Sequence, residues 1–335
     1  MAVSATRPTM RDVAQRAGVS LKTVSRVING ESGVAAETAA RVGDAIAALG
    51  FQRNDLARSL RHGRSSATIG LIIEDVANPF YSAVAQAVET AARERELMLI
   101  TVSCEEDPER EREMVTVLLR RRVDALLIVP AGREHRWLQD AAAGTPIVFL
   151  DRPPGDIETD TVLLDNVGGA RRAVQHLVAH GHERIAYVSD AGALWTASER
   201  LAGYRAAHED AGLTVDDGLV RLGTHRADEA EKAVADLLGL PEGERPTALF
   251  TANNRNTVGA LKALRATGAD AALVGFDDFE LADLLGATVV RFESADLGRR
   301  ASALAFARLD GNDGPPETIV VGTELVARGS GERRA

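Results

Sequence analysis

The 335-residue chain is 45% apolar and 26% charged, ordinary for a globular protein with room for two or three domains. No apolar run approaches the roughly 18 residues of a membrane span. The segment from Met1 to Pro8 has no apolar h-region, so a cytoplasmic location is expected. A single cysteine, Cys104, excludes an internal disulfide framework and a multi-cysteine zinc site. The net charge of −10 is unevenly spread: residues 1–65 hold ten basic and five acidic side chains, which makes them +5 and the remainder −15. A basic head on an acidic body puts any polyanion contact at the N-terminus.

The head reads as three short helices. Thr9 with Asp12 three positions later is a capping-box pattern, and Val13, Ala14 and Ala17 follow at helical spacing. Gly18 stops this helix where a sharp turn requires positive φ. Ser20 caps a second helix that buries Val24, Val27 and Ile28, and a third over 36–49 turns Val42, Ala45, Ile46 and Leu49 inward before Gly50. Two short helices joined by such a turn form the unit whose second helix enters the DNA major groove. Leu21, Lys22 and Arg26 are the candidates for base edges, the cations donating to guanine and the leucine touching a thymine methyl. Thr9, Ser20, Thr23, Ser25 and Asn29 are short polar candidates for phosphate oxygens.

Apolar spacing alone leaves a generic helical hairpin equally open. The longer string is more specific: Met10-Arg11-Asp12-Val13-Ala14, then Ala17-Gly18-Val19-Ser20-Leu21-Lys22-Thr23-Val24-Ser25-Arg26-Val27-Ile28-Asn29. It resembles the DNA-binding head of the LacI/GalR family of bacterial transcriptional regulators, and the resemblance places Leu21, Lys22 and Arg26 at base-reading positions. The following stretch, Phe51-Gln52-Arg53-Asn54-Asp55-Leu56-Ala57-Arg58-Ser59-Leu60-Arg61, resembles that family's hinge helix. By that resemblance Leu56, Ala57 and Leu60 take the minor-groove wedge positions, where an inserted apolar side chain kinks the duplex. Arg53 stands where the family usually has proline, adding charge and removing a rigid φ. A flexible basic linker would instead bind phosphates without a preferred kink.

Beyond residue 67 apolar strands alternate with amphipathic helices. Strands are expected at 69–73, 97–102, 125–129 and 147–150, and a second set at 162–164, 185–188, 248–250 and 272–274; helices include 80–95, 167–180 and 199–212. Such alternation implies α/β architecture: two doubly wound parallel lobes with a ligand cleft at the carboxyl ends of their strands. The expected organisation is a headpiece over 1–52, a hinge over 53–66 and an effector-binding and dimerisation domain over 67–330. Its N-lobe is expected at 67–160 and 292–318, and its C-lobe at 161–291 and 319–330.

Residues at strand ends mix carboxylates, guanidinium groups, amides and rings, the chemistry a polyhydroxylated ligand needs. Singly, each is equally an ordinary loop cap. Together with Ala77-Asn78-Pro79-Phe80-Tyr81, the stretch from His176 to Ala186 and Val274-Gly275-Phe276-Asp277-Asp278, they resemble the same family's periplasmic-sugar-binding-protein-like effector domain. The resemblance implies an effector pocket of Phe80, Tyr81, Asp151, Arg152, Arg200, Asn253 and Asp277, with Trp195 as a further wall. Phe292 falls where many members carry glutamine, which would remove a ligand hydrogen bond and add a stacking face.

Other constellations carry less. His176, His180 and His182 could suggest a metal, since histidines four apart share a helix face, but His180 adjoins the helix-ending Gly181, and no metal or cofactor is expected. Asp277 and Asp278 are adjacent and should diverge rather than act as an acid–base pair. Cys104 lies beside Glu105, Glu106 and Asp107, which disfavour a thiolate. No phosphate-binding glycine loop occurs. Three functions are compatible with these features. A ligand-controlled regulator, most often a repressor, fits best, nucleoid-associated when on DNA. A binding-only sugar receptor leaves the basic head unexplained, and a sugar-acting enzyme lacks a catalytic set. The expected partners are near-palindromic operator DNA, a sugar or related polyol, and a second copy of the chain. The tail from Gly329 to Ala335 has no leucine heptad, favouring a dimer over a tail-mediated tetramer.

Overall fold

Thr9 caps the first helix of the head by exchanging hydrogen bonds with Asp12: the Asp12 carboxylate accepts from the Thr9 amide at 2.7 Å, and Thr9 Oγ1 accepts from the Asp12 amide at 3.4 Å. These bonds satisfy amides at the start of α1 (Met10–Ala17) that have no partner within the helix. The computed structural model describes residues 8–28, 31–51, 66–142 and 144–335. Gly18 adopts φ 65°, and the next amide, of Val19, bonds back to Ala14 O at 3.1 Å, closing the turn. Ser20 Oγ accepts from the Thr23 amide at 3.1 Å and starts α2 (Leu21–Ile28). After it, α3 (Ala36–Leu49) ends at Gly50, also left-handed, with φ 60°. Val13, Val24 and Val42 are wholly buried in the shared core, with Met10, Val19, Val27, Ile28 and Leu49 packed around them. The three expected helices and their stops are all present.

The chain divides into two units, 1–66 and 67–335. The second contains two six-stranded sheets. The first holds β1 (Thr68–Ile73), β2 (Met98–Ser103), β3 (Ala125–Ile128), β4 (Ile147–Leu150), β5 (Asp160–Leu164) and β11 (Thr318–Val321), in the order β11-β5-β4-β3-β1-β2. The second holds β6 (Ile185–Val188), β7 (Val220–Arg221), β8 (Ala248–Thr251), β9 (Ala272–Phe276), β10 (Thr288–Arg291) and β12 (Glu324–Val326), in the order β12-β10-β9-β8-β6-β7. All pairings are parallel except β10 with β12. The helices between are α4 (Pro79–Glu94), α5 (Pro108–Arg120), α6 (Trp137–Ala141), α7 (Asn166–Ala179), α8 (Trp195–Asp210), α9 (Ala227–Leu238), α10 (Asn254–Thr267) and α11 (Ser294–Leu309). Close helix crossings rest on glycine: a Cβ on Gly203 of α8 would strike Val167 O of α7, and one on Gly259 of α10 would strike Ala227 O, just at the start of α9.

The lobe boundaries differ from those expected. The 160–164 segment belongs to the N-lobe, because β5 pairs with β4 in the register Val148 to Asp160 and Leu150 to Val162. Asp160 is buried there and held by Arg308 of α11 at 2.7 and 2.8 Å. The strand at 318–321 follows it into the same sheet, pairing Ile319 with Val162. The chain thus passes between lobes after residues 164, 291 and 321, rather than after 160, 291 and 318. The helix expected from 199 starts at Trp195, where Leu194 offers no side-chain cap to mark it.

Candidate functional site

On α2 Lys22 and Arg26 lie on the side opposite Val24 and Leu21 stands at the first turn; all three are exposed, Leu21 at 46% although it is apolar. Arg26 Nε lies 3.4 Å from the Glu31 carboxylate; both side chains are about half exposed, so this is a weak surface pair that a phosphate or base can displace. Thr9 Oγ1 is engaged in its capping box, and Ser20 Oγ lies 2.9 Å from Thr23 Oγ1. The structure therefore brings Leu21, Lys22, Thr23, Ser25 and Arg26 onto one short helix with Ser20 at its cap. Asn29, Arg53, Leu56, Ala57 and Leu60 lie outside the described residues.

In the second unit, two strands end in the same unusual corner. Asp151 follows β4 and Asp277 follows β9, with φ 68° and 70°, a left-handed conformation in which a non-glycine residue is uncommon. Each corner is tied to the neighbouring strand by its own amide, Asp151 to Val162 O at 2.9 Å and Asp277 to Val290 O at 3.0 Å. Both carboxylates are buried. Tyr81, in the first turn of α4, donates its hydroxyl to Asp151 Oδ2 at 3.2 Å. Arg152 makes a two-pronged pair with Glu106, 2.6 Å on each side, and also donates to Pro130 O.

Arg200 of α8 faces the corners. It donates to Asn166 Oδ1 at 2.7 Å and to Ala252 O, stacks 3.9 Å above the Phe276 ring, and lies 3.8 Å from Asp277 Oδ1. Burial raises the Asp277 carboxyl to about 6 despite this guanidinium, and the charge of Asp151 pushes the same way. Burial likewise raises Asp151, opposed by Arg152, Arg200 and the Tyr81 hydroxyl. The charges of Asp151 and Arg200 are both felt at Asp277, so the titration of the two corners is coupled.

The lobes also touch directly. Asn254 donates from Nδ2 to Asn78 Oδ1 at 3.0 Å, and its amide reaches Asp277 Oδ2 at 3.4 Å. Arg255 pairs with Glu74 at 3.2 Å and with Asp75. His225 lies 3.3 Å from Glu74 and 3.2 Å from Asp190, partners that raise its imidazole to about 10 and keep it charged at neutral pH. Asn253 caps α10 by accepting from the Asn256 amide at 2.8 Å, and it donates to Asp190 at 2.5 Å. Phe292 points into this region: its ring centroid is 5.7 Å from Phe80 and 6.1 Å from Phe276, so three phenylalanines from both lobes form one wall.

Phe80, Tyr81, Asp151, Arg152, Arg200, Asn253, Asp277 and Phe292 thus belong to one neighbourhood. Trp195 is half-buried at the head of α8, and no ring stacking or hydrogen bond joins it to this group among the described residues. Glu74, Glu106, Asn166, Asp190, His225 and Arg255 were not foreseen as site residues. Their only signal was position one to four residues beyond a strand, or beside a helix start, which many polar loop residues share. Asp278 turns away to Arg328, at 2.6 and 2.7 Å, so the adjacent aspartates do diverge. The histidines pin the C-terminus: His176 meets Glu332 at 2.5 Å and His182 meets Arg333 O at 2.9 Å.

A model of the LacI family of bacterial regulatory proteins matches residues 9–54, and one of periplasmic binding proteins and the sugar-binding domain of the LacI family matches 66–305. The second spans well over half the chain. The chain belongs to the LacI family. It is 33% identical to the ribose operon repressor of Escherichia coli (strain K12) over 330 residues, 96% of this chain and 99% of that protein. The structure of the lac repressor dimer bound to operator and the anti-inducer ONPF superposes with a TM-score of 0.81 at 27% identity, covering 98% of this chain and all of that one. The transcriptional regulator CelR in complex with cellobiose matches with a TM-score of 0.71 at 32% identity, covering 97% and 100%. This LacI-family protein is a DNA-binding transcriptional repressor with a sugar-binding-type effector domain; its relatives are repressors rather than enzymes. No helix among the described residues is long and apolar enough to cross a membrane.

Proposed function

We propose that this repressor binds a near-palindromic operator as a homodimer and changes its operator affinity when a small sugar occupies the cleft between its lobes. The observation that carries this reading is the pair of buried corners, Asp151 and Asp277, set around Arg200 beside a phenylalanine wall. Carboxylates and a guanidinium hold hydroxyls from several sides while ring faces cover the C–H surface. Leu21, Lys22 and Arg26 read base edges, and Thr9, Ser20, Thr23, Ser25 and Asn29 meet phosphates. Leu56, Ala57 and Leu60 act at the minor groove. Phe80, Tyr81, Asp151, Arg152, Arg200, Asn253, Asp277 and Phe292 line the effector site, with Trp195 at its margin. The protein acts in the cytoplasm, at the nucleoid when bound to DNA.

One head reads only a short half-site, so two-fold symmetry in the protein implies two-fold symmetry in the DNA. Selection of duplexes from a random pool by the full-length protein tests this. Enrichment of one inverted repeat supports the reading. Recovery of no preferred sequence, or of an unsymmetric single site, contradicts it.

A further inference from the structure

Every cation of the cleft already has its counter-charge. Arg152 is held by both oxygens of Glu106, and Arg255 by Glu74 and Asp75. His225 sits between Glu74 and Asp190, and Arg200 is consumed by Asn166, Ala252 O, the Phe276 ring and Asp277. Six carboxylates, Glu74, Asp75, Glu106, Asp151, Asp190 and Asp277, thus face four cations. With the corner aspartates ionised, each guanidinium faces a carboxylate and none is left over for an anionic ligand. The buried atoms lacking a hydrogen-bond partner include two acceptors here, Asp277 Oδ1 and Asn254 Oδ1, and one donor, Arg152 Nε, which lies 3.5 Å from Asp151 Oδ2. An unpaired buried acceptor favours a ligand that brings O–H donors.

We infer that the cleft selects uncharged, hydroxyl-rich sugars and rejects their phosphates and acids, and that Glu106 and the Glu74–Asp75 pair set this selectivity by occupying Arg152 and Arg255. This deepens the sugar-effector reading and rests on it. A phosphate or carboxylate group entering the cleft would have to displace one of these carboxylates or sit unpaired beside buried acids, at a heavy desolvation cost. Glu106 and Asp75 are positioning residues: they act through the guanidinium groups they hold.

The test is a set of matched pairs titrated calorimetrically into the full-length protein: ribose and ribose 5-phosphate, glucose with glucose 6-phosphate and glucuronate, and cellobiose with its phosphorylated form. A neutral sugar should bind, its charged counterpart should bind at least ten-fold more weakly, and Asp277→Asn should weaken the neutral sugar. In Glu106→Gln the discrimination should shrink, because Arg152 is released to meet an anion. Asp75→Asn, at a more exposed acid, is the second variant should the first fail to fold, and it should relax selectivity through Arg255. A charged counterpart that binds the wild type as well as the neutral sugar, or selectivity unchanged in folded variants of both acids, overturns the inference while leaving the sugar reading standing. Silence from neutral and charged members alike removes the sugar reading and this inference with it.

Discussion

Asp277 concentrates the chemistry of the cleft in one side chain: buried, left-handed in φ, 3.8 Å from Arg200, and raised to about 6. Because its folded value lies above that of an ordinary carboxyl, this group favours the folded state at low pH; that contribution fades as pH rises through about 6. Ligand hydroxyls donate best to the ionised form, so effector affinity should run the other way. With Arg200, Asp151, Asp190 and the Asn254 amide as its charged and polar surroundings, affinity should fall about ten-fold between pH 7 and pH 5. Asp277→Asn should flatten that profile, and a flat profile in the wild type would contradict the assignment. On the DNA side, Arg26→Ala should cost about 1–3 kcal/mol and relax preference at one base position. Equal loss on every duplex would make Arg26 a phosphate contact instead. The strand-end residues Asp151, Arg152 and Asp277 were legible because they fall at strand ends within stretches the family shares, and Phe292 because it departs from the family. His225, Arg255 and Glu106 were not. They converge from separate loops, and only the folded cleft makes a charge group of them.

At the scale of elements, caps carried most of the legible information. Thr9 with Asp12, Ser20, Gly18 and Gly50 marked the head helices because each satisfies backbone groups that the helix cannot. Nothing lies within 4 Å of a Cβ built on Gly18, so the demand there is purely for positive φ. Gly18→Ala should therefore destabilise the head by about 1–2 kcal/mol, read as faster amide exchange in α1 and α2. Unchanged exchange would show that the turn tolerates a side chain. Sheet membership was not legible. Strands β5 and β11 are short segments resembling those of the other lobe, and apolar content carries no label for which sheet it joins. What decides the matter is long-range: Asp160 meets Arg308, 148 residues away in sequence. The edge strands β7 and β12, of two and three residues, were too short to show a period.

For the whole molecule, two lobes joined by three chain passages suit a change in lobe arrangement, and the contacts that bridge them are on hand: Asn254 to Asn78, Arg255 to Glu74 and Asp75, and His225 to Glu74. The proposed homodimer must also bury surface. Leu281, Leu284 and Leu285 are 54%, 79% and 51% exposed within a few residues of one another, an apolar cluster open to a partner. Leu284→Asp should shift the protein toward monomer in analytical ultracentrifugation, and an unaltered dimer would place the interface elsewhere. Ligand and operator must then be linked reciprocally: if sugar changes operator affinity by some factor, operator changes sugar affinity by the same factor. The most direct test measures affinity for the selected duplex by fluorescence anisotropy, with and without saturating neutral sugar, for the wild type and Arg200→Ala. The wild type should change its operator affinity several-fold with sugar, while Arg200→Ala should bind the duplex normally and not respond. A variant that responds like the wild type, or a wild type indifferent to a sugar that binds it, would contradict control through this cleft.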